Sequence, residues 1–209
     1  MAPVRRVISA LWVTDFLQYV LDQDHSPIVF IVCTTRDTFL EQLLATMHLQ
    51  TTAATGHHRL LTKTLGLLST SRNIRTVFCP TLEHLRAYLS TGVEGRLSVT
   101  EERQSLNPLL AILNPLSVHV STREFSAQGL SRTLANAVEV SSRARMDIVL
   151  CECRDALDST NTEHGEALWY KDVPLLSNSL RAEAEGNDLT GRAVPVKRVV
   201  ERWFQFANQ

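Results

Sequence analysis

A short apolar segment that ends at an asparagine constrains this fold most. Residues 109–113 read LLAIL, and the run stops at Asn114-Pro115. Five consecutive apolar residues are typical of a strand that is buried on both faces, and such strands are usually parallel. Ser126 then begins a segment with apolar residues at helical spacing, which predicts a crossover helix. This strand–helix unit is central to nucleotide-handling α/β folds, in which a carboxylate often follows the strand; here an amide stands in that place.

Three more apolar runs predict strands of the same kind, at residues 28–33, 74–79 and 146–153. Helical stripes lie between them, so the predicted order is β-α-α-β-α-β-α-β. The chain is therefore predicted to be one α/β domain, residues 1–209, with a mostly parallel sheet flanked by helices. The predicted additions are an N-terminal helix (1–22), a flexible loop (91–106) and a C-terminal extension of antiparallel strands (166–206).

Composition limits the classes of function. Apolar residues make up 44% of the 209 residues, and the formal net charge is −1. A charge this small gives no global attraction to nucleic acid or to an anionic membrane, so any such contact must be local. No segment reaches the roughly 18–20 apolar residues of a membrane-spanning helix. We therefore expect an intracellular protein with no membrane partner.

The four cysteines indicate a reduced protein. Cys33, Cys79 and Cys151 lie in apolar runs, and Cys153 follows one of them. The spacing of Cys151 and Cys153 suits neither a zinc site nor a CxxC redox pair. We expect these two thiols to point to opposite faces of their strand, and all four to be core thiols in a cytosolic or nuclear protein.

Motifs for nucleotide chemistry are missing. Neither GxxxxGK[ST] nor GxGxxG occurs, and the turn after residues 28–33 reads TTRD. Asn114 supplies no charge for magnesium. The histidines form no metal-ligand spacing, and Ser126 lacks the GxSxG context of a nucleophile. We therefore predict no enzyme activity, no cofactor and no metal; the remaining catalytic hypothesis is an atypical site around Asn114, Glu152 and Asp155.

The last segment is the best candidate for contact with a partner, because positive charge beside aromatic rings suits both phosphate contact and base stacking. The alternative is a strand that buries its aromatic residues and leaves its arginines in solvent. The candidate DNA-binding residues are Arg192, Lys197, Arg198 and Arg202. The candidate partner-interface residues are Trp203, Phe204 and Phe206.

With these positions placed, the chain resembles the RecA-like recombinase core, specifically the degenerate, non-ATPase paralogues of Shu-type complexes. The resemblance spans residues 28–206 and is carried by hydrophobic strands, by LLAILN at 109–114 and by SAQGLSR at 126–132. The chain departs from active members because it lacks the phosphate loop and has Asn114 in place of the aspartate. No ATP-site residue is therefore carried over.

The resemblance implies a RecA-like fold and a non-catalytic subunit that pairs with another RecA-like paralogue as a hetero-oligomer. Such a subunit assists homologous recombination and DNA repair in the nucleus, with direct DNA contact as a further possibility. The rival resemblance is to the RecA-like subunits of Elongator, which are similarly degenerate. It implies an assembly subunit in tRNA modification and a cytoplasmic location.

Overall fold

The structure, a computed structural model, describes residues 3–23, 25–53, 58–62, 64–91, 107–158, 160–176 and 192–207. It contains a six-stranded parallel sheet in the order β3-β2-β4-β5-β1-β8 and a separate antiparallel pair, β6-β7. The strands are β1 (Arg5–Val7), β2 (Ile28–Val32), β3 (Ile74–Phe78), β4 (Leu109–Leu113), β5 (Asp147–Cys151), β6 (Asp172–Pro174), β7 (Ala193–Pro195) and β8 (Gln205–Phe206).

Helices cover both faces of the main sheet, so the predicted α/β class is confirmed. The α-helices are α1 (Val13–Leu21), α2 (Arg36–Ala53), α3 (Leu65–Ser71), α4 (Leu82–Thr91), α5 (Ser117–Val120), α6 (Ala127–Arg143) and α7 (Val196–Val200). Two 3-10 helices are formed by Arg59–Leu61 and Glu166–Tyr170.

The central strands are apolar throughout because both faces are covered. Every residue of β2 and β4 is buried. Alternate residues of these strands point into two cores, since side chains alternate along a strand. One core lies between the sheet and helices α4, α6 and α7, and the other lies under α1 and α2. The predicted run at residues 109–113 is thus the central strand, and it pairs in parallel with β2 and β5.

The prediction of an N-terminal helix over residues 1–22 is wrong in its first part. Arg5–Val7 forms β1, which pairs in parallel with both β5 and β8, and α1 begins only at Val13. A strand of three residues is too short to show a period of two, so the sequence pattern was dominated by the helix that follows. The apolar face of α1, with Val13, Phe16 and Val20, is buried against this chain's own sheet.

The predicted antiparallel extension over residues 166–206 is correct only for its middle part. β6 and β7 form an antiparallel pair, whereas Glu166–Tyr170 is a 3-10 helix and Val196–Val200 is α7. Val196, Val199 and Val200 are buried at the i, i+3, i+4 spacing of a helix. The final strand, β8, is parallel. Residues 92–106 of the predicted loop and residues 177–191 of the predicted extension lie outside the described residues.

At the start of α6, the backbone of Gly129 lies very close to the backbone of Glu124. The hydroxyl of Ser126 accepts the N–H of Gly129 at 3.0 Å, as an N-cap does. A Cβ at Gly129 would lie 2.1 Å from the carbonyl oxygen of Glu124, so only glycine fits. Arg86 of α4 donates to the Gly129 carbonyl (2.9 Å), the Thr133 hydroxyl (2.9 Å) and the Glu124 carboxylate (3.1 Å). The SAQGLSR segment therefore anchors α6 to α4.

Candidate functional site

The carboxyl edge of the sheet contains a topological switch point between β1 and β5. The connection from β1 to β2 crosses one face of the sheet through α1, and the connection from β5 to β8 runs in the opposite direction across the other face. Ligands of open α/β sheets bind in crevices of this kind. The connection from β1 to α1 at this crevice is residues 8–12, with the sequence ISALW. It is the strand–loop–helix position that a phosphate-binding loop requires, and it contains no glycine.

The N-terminus of α1 is capped by a carboxylate of the helix itself. Asp15 accepts the backbone N–H of Trp12 at 3.0 Å through one oxygen and the side-chain amide of Gln50 at 3.0 Å through the other. Gln50 also accepts the hydroxyl of Thr14 at 2.9 Å. A helix N-terminus attracts anions through free N–H groups and its dipole. Asp15 occupies the Trp12 N–H and lies in the first turn of the helix, so its negative charge would repel a phosphate there.

Asn114, at the position where an aspartate would bind magnesium, joins two strands. Its backbone has a φ of 56°, a left-handed conformation that asparagine tolerates better than most residues. Its backbone N–H donates to the carbonyl of Cys151 at 2.7 Å, and its side-chain oxygen accepts the N–H of Cys153 at 2.8 Å. The side chain is 3% exposed. The amide oxygen thus satisfies a buried N–H just beyond β5.

Glu152 is fully buried just beyond β5 and caps the start of α5. Its carboxylate accepts the backbone N–H of Leu116 and, at 3.0 Å, the hydroxyl of Ser117. Burial raises the pKa of Glu152 to about 8, although the hydrogen bonds from Leu116 and Ser117 act in the opposite direction. The Ser117 oxygen lies 3.1 Å from Nδ1 of His164. The hydroxyl therefore lies between acid and imidazole, which is not the order of a Ser-His-Asp triad.

Asp155 has a local structural role. One carboxylate oxygen accepts the backbone N–H groups of Leu157 (2.9 Å) and Asp158 (3.3 Å), and the other accepts the side-chain amide of Asn161 at 3.3 Å. These bonds close the loop that follows β5. The three residues of the hypothetical atypical site thus have separate structural partners: Cys153 for Asn114, Leu116 and Ser117 for Glu152, and this loop for Asp155.

The cysteine arrangement corrects one expectation. All four thiols are buried and unbridged, as expected for core cysteines. The prediction that Cys151 and Cys153 point to opposite faces is wrong, because their sulfur atoms lie 3.6 Å apart. Residues i and i+2 share one face of a strand. Burial raises the pKa of Cys33 and Cys79, so neither is a reactive thiolate at neutral pH. Among the residues that the structure describes, no group of histidine, cysteine or acidic side chains is arranged to hold a metal ion.

The predicted DNA-binding residues are only partly brought together. Lys197 and Arg198 are adjacent on α7, and Arg202 follows in the next turn. Arg192 lies before β7, four residues ahead of the first residue of α7. Arg192, Arg198 and Arg202 are exposed, whereas Lys197 is half-buried.

The predicted partner-interface residues differ in accessibility. Phe204 is 2% exposed and belongs to the core of this chain, so it offers no surface to a partner. Trp203 and Phe206 are half-buried and pack against that core. The expectation of a surface contact therefore stands only for Trp203 and Phe206, as a prediction.

Lys197 lies beside two aromatic rings, those of Tyr170 and Phe206. Its ammonium is 5.3 Å from the ring centroid of Tyr170 and 5.1 Å from that of Phe206. The same residues line a cleft of about 240 Å³ whose floor is the carboxyl end of β1. Glu166 lines this cleft and also a neighbouring one of about 290 Å³, which contains Asp15. No sequence motif links Tyr170 to α7; only the tertiary structure brings them together.

Comparison with known proteins places the chain in a family. A family model described as SPAC22G7.03-like matches residues 4–206, a range that includes all eight strands and the seven helices of the described residues. No curated protein matches the sequence. None of the described helices is both long enough and apolar enough to span a membrane.

Proposed function

We propose that this chain, which belongs to the SPAC22G7.03-like family, is a non-catalytic subunit of a complex of RecA-like paralogues that assists homologous recombination and DNA repair. In this proposal it works in the nucleus, pairs with another RecA-like subunit in a hetero-oligomer and contacts DNA directly. It needs no cofactor.

The observation that carries the proposal is the self-capped N-terminus of α1. A nucleotide-hydrolysing protein needs free backbone N–H groups and a lysine at the loop between the first strand and its helix. In this chain the Trp12 N–H is bound to Asp15 at 3.0 Å, and residues 8–12 contain neither glycine nor lysine. A phosphate would have to displace a carboxylate and then lie beside it. The fold thus keeps the location of a nucleotide site without its chemistry.

Asn114 and Glu152 support the same interpretation. A magnesium ion bound to a nucleotide needs charged oxygen ligands with free lone pairs. Asn114 carries no charge and uses its oxygen for the Cys153 N–H, while both Glu152 oxygens accept hydrogen bonds from the start of α5. These residues stabilise the carboxyl edge of the sheet, which is the task of a scaffold.

Exposed leucines support a role in assembly. Helix α2 buries the polar side chains of Gln42 and Thr46 while Leu40 and Leu44 are 40% and 57% exposed. Helix α3 has no buried residue, and its Leu65 is 87% exposed. Obligate interfaces are more apolar than the rest of a protein surface. An apolar interface on α2 or α3 would account for these leucines.

The test is affinity purification of the tagged full-length chain from its native cells, followed by identification of stoichiometric partners. We expect a RecA-like recombination paralogue, and we expect Leu44→Gln combined with Leu65→Gln to weaken its recovery. The matched control is His48→Gln, an exposed position on α2 that is polar already. Recovery of tRNA-modification proteins instead would refute the recombination role and favour the Elongator-like alternative.

A thermal-shift assay tests the non-catalytic part. ATP with magnesium at millimolar concentration is expected to leave the melting temperature unchanged, because a ligand that does not bind the native state cannot stabilise it. A concentration-dependent rise would mean that the switch-point crevice accepts a nucleotide. The atypical-enzyme hypothesis would then replace this proposal.

A further inference from the structure

Three aromatic rings and the ammonium of Lys197 lie together at the surface, and Tyr170 is the most exposed of them. We call Trp169, Tyr170, Lys197 and Phe206 the aromatic platform. Trp169 is 3% exposed and packs edge-on against Phe206, with ring centroids 5.5 Å apart and an interplanar angle of 89°. Tyr170, the next residue in the same 3-10 helix, is 61% exposed. The buried Trp169 therefore fixes the backbone from which Tyr170 presents its ring.

The charge on this platform has no acidic partner in the described part of the chain. None of the ion pairs there includes Lys197, whose ammonium contacts rings instead. Arg198, the next residue of α7, is exposed. Glu166 lines the same cleft and would oppose an anion near it. A ligand with both a flat apolar surface and a negative charge fits the exposed Tyr170 ring and the Lys197 ammonium beside it.

We propose that the aromatic platform binds single-stranded nucleic acid, with one unpaired base stacked on Tyr170 and the adjacent phosphate on Lys197. Base–aromatic stacking combined with a positive groove is the common chemistry of single-strand binding, and it tolerates any base. A duplex offers the same phosphates, but its bases are already stacked on one another. The inference rests on the DNA contact in the proposed function and specifies its form: single strands are preferred to duplex, through Tyr170.

The experiment is fluorescence anisotropy with the full-length chain, in complex with its partner where one is required. The probes are oligo(dT), oligo(U), a DNA duplex and an abasic oligonucleotide, all of one length and at two salt concentrations. We expect oligo(dT) to bind more tightly than the duplex and the abasic strand. Tyr170→Ala should weaken that binding by roughly 5- to 150-fold, the loss typical of one stacked base, and Tyr170→Phe should retain it.

Lysine variants separate the platform from general charge. Lys197→Ala should weaken binding and reduce the slope of log affinity against log salt by about one. Lys171→Ala is the matched control, because it removes the same charge from the exposed residue next to Tyr170. The ammonium of Lys171 lies 5.9 Å from the ring centroid of Phe125 and is not part of the platform. Equal losses for Lys171→Ala and Lys197→Ala would mean unspecific attraction and would refute the platform.

The remaining outcomes also decide the matter. Absence of binding at low salt, equal affinity for duplex and single strand, or a folded Tyr170→Ala chain with unchanged affinity would each overturn the inference. If RecA-like partners still co-purify in that case, the assembly role stands and only the platform fails. A preference for oligo(U) over oligo(dT) would support the platform and point to RNA, against a recombination role.

Discussion

Replacing Gly129 with alanine is a sharp test of how the SAQGLSR segment holds the fold. The new methyl group would lie 2.1 Å from the carbonyl oxygen and 2.9 Å from the carbonyl carbon of Glu124. These are backbone atoms, so the clash cannot be relieved by turning a side chain. The Glu124 carbonyl also accepts the N–H of Ser126 at 2.8 Å. To admit the methyl group, the loop before α6 must move away by roughly 1 Å, from 2.1 Å to an ordinary carbon–oxygen contact.

The cost follows from the contacts that this movement disturbs. Overpacking in a well-packed site costs about 1–3 kcal/mol. Weakening the hydrogen bond from Arg86 to the Gly129 carbonyl (2.9 Å) adds about 1–2 kcal/mol, since a charged donor is involved. Alanine recovers about 1 kcal/mol through its better helix propensity. The free energy of unfolding should therefore fall by about 1–4 kcal/mol, and the melting temperature by roughly 2–16 °C for a domain of this size.

Thermal and urea unfolding followed by circular dichroism would measure this loss. The matched control is Gly66→Ala in α3, where a Cβ meets nothing within 4 Å. That change should raise the free energy of unfolding by up to about 1 kcal/mol, because only helix propensity and chain entropy act. If Gly129→Ala melts at or above the wild-type temperature, the close approach of Glu124 to α6 is wrong.

Three further substitutions test the buried polar groups. Asn114→Ala should lower the free energy of unfolding by about 2–4 kcal/mol in urea, because the Cys153 N–H loses its acceptor and alanine is strained at positive φ; Asn114→Gly should lose about 1 kcal/mol less. Burial raises the pKa of Glu152 to about 8, so the folded chain favours the protonated form of this side chain. Protonation of Glu152 therefore stabilises the folded state fully below about pH 4.5, and this stabilisation is lost as the pH rises through about 8. The melting temperature of Glu152→Gln should therefore fall less than that of wild type between pH 6 and pH 9, and an identical slope would contradict this. Burial, with the nearby Arg86 guanidinium, lowers the pKa of His119 to about 4, so the folded chain favours the neutral imidazole. The free energy of unfolding should therefore fall by up to about 3 kcal/mol as the pH falls from about 6.5 to 4. His119→Gln should remove most of that acid loss, measured by urea unfolding at both pH values.

The central strands were predictable because their environment is uniform. β2 and β4 are buried on both faces, so every position is apolar and the pattern is visible without knowledge of any neighbour. The N-cap at Ser126 was equally visible, since capping is a contact between residues three apart. The site residues were harder. Asn114 was recognised as a departure from an acid, but its bond to the Cys153 N–H depends on the pairing of β4 with β5.

The C-terminal segment shows why local patterns fail at the edge of a fold. Residues 196–206 contain apolar and charged residues at spacings that fit both a strand and a helix, and strand alternation was the wrong choice for α7. Packing of α7 against α6 favours the helix. Val196, Val199 and Val200 are all buried, and a helix places residues at this spacing on one face. The same packing brings Lys197 to Tyr170, a contact between separate segments that no spacing rule contains.

The sequence by itself determined an α/β chain with buried parallel strands. It also determined that the glycine-rich phosphate loop and the magnesium-binding aspartate of a nucleotide site are missing. Both conclusions rest on residue types at single positions and on local periodicity. Only the tertiary structure decided that Arg5–Val7 enters the sheet between β5 and β8. That insertion creates the switch point, places Asp15 at the N-terminus of α1 beside it and puts β1 under the aromatic platform. A segment of three residues is too short for its pattern to predict a strand. Its pairing with β5 and β8 depends on contacts with residues far away along the chain.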